Sequence, residues 1–250
     1  MFRKEFPMIY EIIFDQISDR DCESAYGRNF ESILRNAPEA ERRWLRIEKA
    51  LQGLDVCSLK VLKKKVCPYL TKKHAGRGWH QLFDALNEAQ AYSYLISLGC
   101  SDVHIIPESI KNGVQTPDLE GVLCSGKVLC EVKTINISDG EAKVRASDKP
   151  IVRTTQDQLE KAFFQKLRSC LTKAEMQLKA YDLANSSHLI VYIFIIFDDY
   201  PFCEYKEGYF QQIDQYFSEN IVTGIELVIH NLETAFHKRI TMQFATVVND

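Results

Sequence analysis

Asp118, Glu131 and Lys133 are the residues of this chain whose types and spacing suit chemistry. In the stretch TPDLEGVLCSGKVLCEVKT, Thr116 to Thr134, an acid follows Pro117 directly, and an acid and a lysine stand two apart beyond a hairpin signal. Side chains alternate across a strand, so Glu131 and Lys133 project to one face and Val132 to the other. Two carboxylates converging in a water-accessible pocket repel each other, and a hard divalent cation relieves the repulsion. Oxygen-only ligands favour Mg2+ or Mn2+ over zinc. Such an ion lowers the pKa of a bound water and stabilises the charge of a phosphorane-like transition state, while a neighbouring ammonium positions the nucleophile or the scissile phosphate. The constellation suits hydrolysis of a phosphodiester.

The elements that must position these residues follow from periodicity and punctuation. Two strands joined at Ser125-Gly126 would set Glu131 near Glu120 or Gly121, so Asp118 reaches Glu131 only if the chain bends after Pro117, a first-strand position that suits proline. Ahead of the hairpin, WHQLFDALNEAQAYSYLISLG predicts a helix from about Trp79 to Leu98, stopped at Gly99, and SDVHIIPE a short strand. Behind it, NISDGEAKVRASDKPIVRTT has no apolar pattern and reads as either a functional or a disordered loop. A long helix capped by Thr154 or Thr155 comes next, and HLIVYIFIIFDD reads as a strand buried on both faces. The expected order from Trp79 to Phe197 is helix, strand, strand, strand, helix, strand. The tail adds a helix, YFQQIDQYFSEN, and two further strands. Upstream, EAERRWLRIEKALQGL predicts an amphipathic helix with Trp44, Leu45, Ile47, Ala50, Leu51 and Leu54 on its core stripe, while MIYEIIF is open between strand and helix turn.

Pro117-Asp118 followed by Glu131-Val132-Lys133 resembles the signature of the PD-(D/E)xK nuclease superfamily, whose restriction-endonuclease-like core runs in the same order of elements. The resemblance covers roughly half the chain. It implies an α/β (α+β) fold with a mixed central sheet flanked by helices; residues 77–250 are expected to form this nuclease-like domain with extra C-terminal strands, and residues 1–76, outside the resemblance, a mainly helical region. It also implies that Asp118, Glu131 and the Val132 carbonyl hold Mg2+ or Mn2+, with Lys133 orienting water and phosphate. An acid on the first core helix is implied too, and Glu88 fits, to complete the metal shell or hold a water of that shell; the helical wheel leaves it open to solvent or to a cleft rim. Gln177 and Tyr181, one turn apart, are similar to the Gln-x-x-x-Tyr motif of the bacterial recombination-nuclease branch, and Gln177 would touch the phosphate or the attacking water. By the resemblance alone the substrate is DNA rather than RNA, and two copies pair as a homodimer to cut both strands. The iron-sulfur members of that branch carry three cysteines after the core, whereas here Cys203 stands alone there, so no cluster is implied.

A chain of 250 residues with 46% hydrophobic and 26% charged composition can bury a full core as one large domain or one domain with an appendage. No window approaches a membrane span, the N-terminus does not read as a signal peptide, and a cytoplasmic location is expected. The cysteines are expected to be free thiols, with Cys100, Cys124, Cys130 and Cys170 in apolar stretches. A net charge of −3 leaves any attraction to nucleic acid to local patches. Two exist: Lys63, Lys64, Lys65, Lys72, Lys73 and Arg77 in one, and Lys143, Arg145, Lys149 and Arg153 in the other. Both are expected to grip backbone phosphates. Other schemes lack their parts: there is no Gly-x-Ser-x-Gly elbow or phosphate loop, Cys57 and Cys67 are spaced too widely for a zinc finger, and His188 reads as structural. The rival reading is a scaffold of the same fold that binds nucleic acid or a protein partner without cleavage.

Overall fold

The computed structural model describes residues 2–17, 30–36, 38–75, 77–108, 116–124, 126–136, 140, 142–143, 146, 158–182, 187–195, 203–219, 225–231 and 237–240. Helices α1 (Phe2–Glu5), α2 (Pro7–Ile12), α3 (Phe30–Asn36), α4 (Pro38–Gln52) and α5 (Val56–Val66) precede α6 (His80–Ser97). Then come strands β1 (Ser101–Ile105), β2 (Leu119–Leu123) and β3 (Gly126–Ile135), helix α7 (Lys161–Tyr181), β4 (His188–Ile195), α8 (Cys203–Glu219), β5 (Glu226–Asn231) and β6 (His237–Ile240). The segment MIYEIIF, open in the sequence, is helical in α2 as far as Ile12 and continues from Phe14 as a single 3-10 turn. No helix among the described residues is long and apolar enough to cross a membrane.

The strands form one mixed sheet in the order β1-β2-β3-β4-β5-β6. β1, β2 and β3 are antiparallel neighbours, β3, β4 and β5 run parallel, and β6 returns antiparallel to β5. β4 explains why the sheet is covered twice. Its Ile190, Tyr192 and Phe194 pack with helices α2 to α6, and its Leu189, Val191, Ile193 and Ile195 pack with Leu167, Leu171, Ala174 and Leu178 of α7 and Ile213 and Phe217 of α8. A strand buried on both faces has no polar alternation, which is what its continuous apolar run encodes.

The helical region is sewn into the first of these layers. Phe6, Ile9, Trp44, Ile47, Leu51 and Leu62 share one cluster with Leu82, Leu95, Cys130 and Tyr192. Trp44 packs edge-on against Phe30 at 5.2 Å and tilts against Phe83 at 5.5 Å, tying α3, α4 and α6 together. Of the expected α4 stripe, Leu45 is instead exposed. Glu48, buried on the same face, accepts from the Met8 and Ile9 amides at 3.0 and 2.9 Å and so caps the open N-terminus of α2 from outside. Asp55 caps α5 by accepting from Cys57 and Ser58 amides at 2.7 and 3.0 Å. Ser58 Oγ in turn accepts from the Ile105 amide at 2.9 Å, fastening α5 to β1.

Three expectations shift. Leu123 pairs with Gly126, so the hairpin closes one residue earlier than a Ser125-Gly126 turn, with Cys124 at a φ of 48°. That left-handed position puts Cys124 in the open, unlike buried Cys100 and Cys130. The long helix begins at Lys161 with Glu160 as its N-cap, and the Thr154 and Thr155 caps lie outside the described residues.

Candidate active site

The one-residue shift of the hairpin decides the site. Leu119 now pairs with Cys130, burying both completely, and the next position along this register faces Asp118 to Glu131. Moving the turn by one residue moves each cross-strand partner by two, so every side chain keeps its face while Asp118 replaces Glu120 opposite Glu131. Asp118 sits at the bend that the Pro117 argument required. Its amide donates to the Cys130 carbonyl at 3.1 Å and its own carbonyl accepts from the Ile106 amide at 2.9 Å, so the backbone is pinned on both sides. Its carboxylate tucks between the strands, where Oδ2 accepts from the Val132 amide at 2.8 Å.

Glu131 and Lys133 share the β3 face that looks toward α7, as alternation requires, and the Lys133 ammonium donates to Glu131 Oε1. From α7, the Gln177 amide donates to Glu131 Oε2 at 2.8 Å and to the Thr116 carbonyl at 2.7 Å. The Glu131 side chain is only 2% exposed, so these two donors carry its solvation. On the opposite side, Glu88 of α6 is buried rather than solvated. Lys65 of α5 donates to both of its oxygens, at 2.9 and 2.8 Å, and stands 3.9 Å from Asp118 Oδ1. Nearby, Asn87 of α6 donates to Thr134 Oγ1 at 3.1 Å and holds that helix to β3.

Lys65 departs from its expected part. With a side chain 10% exposed and turned into the carboxylates, it is not on the solvent face where it was expected to grip phosphate. The signal was present: Lys65 lies three residues after buried Leu62 and seven after buried Ser58, on the covered face of α5. Lys63 instead pairs with Glu11, while Lys64, Lys72 and Lys73 are exposed, as is Lys143. Arg77 is part-buried beside His74, whose Nδ1 accepts its amide at 3.0 Å. Arg145, Lys149 and Arg153 lie outside the described residues. Glu108, which the sequence did not single out, adds a further negative charge felt by Glu88, Asp118 and Lys65.

The electrostatics record this crowding. Burial first, and the Asp118 charge second, push Glu88 and Glu131 up to about 8, against the pull of Lys65 and Lys133. Asp118 is also raised by burial, opposed by Lys65, the Val132 amide and Lys133. Burial would lower Lys65, but Glu88 and Asp118 outweigh it and raise the ammonium's pKa. Asp84, one turn before Glu88, is raised by burial to about 6.

Oxygen donors on β3, the bend before β2 and a helix, with more carboxylates than ammonium groups among them, fit the chemistry of a hard divalent cation. As the side chains stand, no group of three or more His, Cys, Asp or Glu among the described residues is arranged to hold a metal ion. Glu88 faces Lys65 and Glu131 faces Lys133 and Gln177. His188 bonds Glu226 at 2.9 Å, well along the sheet from this cluster. No family model, curated protein or solved structure matches the chain.

Proposed function

We propose that the protein is a metal-dependent nuclease of restriction-endonuclease-like fold that hydrolyses phosphodiester bonds of DNA. The observation that carries the reading is the meeting of Asp118, Glu131 and Lys133 at one end of the β2–β3 hairpin, with Glu88 and Gln177 delivered to them by helices on opposite sides of the sheet. The order α6-β1-β2-β3-α7-β4 supports it.

Asp118 and Glu131, with the Val132 carbonyl, would hold Mg2+ or Mn2+, and Glu88 would complete the set. When bound, the cation supplies charge stabilisation at the phosphoryl oxygens and a lowered pKa for the attacking water. Lys133 aims its donors at water and phosphate from the face it shares with Glu131. Gln177 fixes the Glu131 carboxylate from behind. Lys64, Lys72, Lys73 and Lys143 meet backbone phosphates, so binding weakens steeply as salt rises. Pairing of two copies for double-strand cuts belongs to the same proposal; a strict monomer making such cuts at high dilution would count against it.

The test is cleavage of supercoiled plasmid and single-stranded DNA by wild type, Lys133→Ala and Asp118→Asn, each with Mg2+, Mn2+ or chelator. Cutting by wild type alone, and only with metal, is the expected result. A second reading, a DNA- or protein-binding scaffold without cleavage, draws on the same ammonium pairing: each glutamate already has a lysine partner. It requires that no Mg2+ or Mn2+ binding be lost in Asp118→Asn.

A further inference from the structure

Lys65 belongs to the helical region, yet its ammonium ends inside the carboxylate cluster. It chelates Glu88 through both oxygens at 2.9 and 2.8 Å and stands 3.9 Å from Asp118 Oδ1. Its side chain is 10% exposed and that of Glu88 9%. A buried ion pair is a poor source of stability, since desolvation offsets much of the attraction, so its presence asks for another reason. The helix that carries it is held firmly, by the Asp55 cap and by Ser58 bonded to the Ile105 amide of β1. The ammonium therefore lies between an acid of α6 and the acid just ahead of β2, two of the groups that would hold a divalent cation. A divalent cation placed there would be repelled by the Lys65 charge at close range.

From this geometry we infer that Lys65 is the resident cation of the site, holding the place between Glu88 and Asp118 until a divalent cation displaces it. The inference rests on the nuclease reading for the identity of the incoming ion. It adds that loading the site frees a lysine of α5 and so couples metal binding to the helical region. Lys65 is then a positioning residue: it keeps the acids from repelling one another open before loading, and competes with the ion for them.

The test uses the full chain without DNA. Lysines of the wild type are acylated briefly in chelator, Mg2+ or Ca2+ and read by mass spectrometry, and Ca2+ is titrated calorimetrically into wild type, Lys65→Met, Lys65→Gln and Asp118→Asn. Lys65 is expected to be protected in chelator and to be modified several-fold faster with either ion, while exposed Lys64, Lys72 and Lys73 do not change. Removing the competing charge should tighten Ca2+ binding by about tenfold in both Lys65 variants, and Asp118→Asn should abolish it. If the wild type binds the ion while Lys65 stays protected and its variants bind no tighter, the inference is overturned and the nuclease reading stands. If the wild type binds neither ion, the nuclease reading falls and takes the inference with it. The acylation arm needs no variant, so a misfolded substitution does not decide the result.

Discussion

The Gln177 side-chain amide donates to two acceptors at once, the Thr116 carbonyl at 2.7 Å and Glu131 Oε2 at 2.8 Å. One residue of α7 thereby fixes both the approach to Asp118 and the carboxylate of Glu131. Gln177→Ala should lower cleavage by about 10- to 100-fold, the usual cost of losing a group that orients a ligand, while far-ultraviolet circular dichroism stays unchanged. Single-turnover cleavage of a labelled duplex checks this, and full activity in the variant would remove Gln177 from the site.

Stability in chelator should fall as pH rises. Glu88 and Glu131 have folded-state pKa values of about 8 against an ordinary 4.5. The folded chain keeps protons that the unfolded chain has released, so this contribution is full below the ordinary value and is lost as pH passes through the raised one. The groups facing Glu88 are Lys65, Asp118 and Glu108, and those facing Glu131 are Asp118, Lys133 and Lys65; Asp118 shifts in the same direction. Denaturant midpoints measured from about pH 5 to about pH 8.5 should decline, and saturating Mg2+ should flatten the slope by replacing the protons. A midpoint rising over this window would contradict the buried arrangement.

Exposed lysines should separate from Lys133 by what they change. Lys72→Ala and Lys73→Ala are expected to lower the slope of log affinity against log salt by about 1 each and leave cleavage at saturating DNA intact. Lys133→Ala should do the reverse, losing cleavage with little change in the slope. Fluorescence anisotropy across a salt series distinguishes the two.

Glu48 should matter to stability alone. It satisfies the Met8 and Ile9 amides and accepts from Gln52 at 2.8 Å. Glu48→Ala leaves buried donors unpaired at a cost of about 1 to 3 kcal/mol, read as a lowered denaturant midpoint with unchanged Ca2+ affinity.

Asp118, Glu131 and Lys133 were legible because local spacing alone sets alternation on a strand and a bend after proline. Their register was not, since Ser125-Gly126 is the stronger turn pair by sequence and both registers keep every side chain on the same face, whereas the observed one places Cys124 at a positive φ. β4 could be read directly, because burial on both faces leaves an unbroken apolar run. Glu88 stayed open between solvent and cleft because its partner, Lys65, is 23 residues upstream. Lys65 itself was masked by its neighbours: a run of lysines averages over the faces of a helix, although one of the run falls on the buried stripe.

The two-residue hairpin loop also sets an order of assembly. Asp118 and Glu131 meet through a contact local in sequence, whereas Lys65 and Gln177 reach them across 23 and 46 residues, to Glu88 and Glu131. Local contacts close early in a folding reaction and distant ones late. Asp118, Glu131 and the Lys133 that pairs with Glu131 are thus set together first, and Lys65 and Gln177 join them from the helices later. Changes at Cys124 should slow folding, while changes at Lys65 or Gln177 should mainly speed unfolding, a division that chevron kinetics would read.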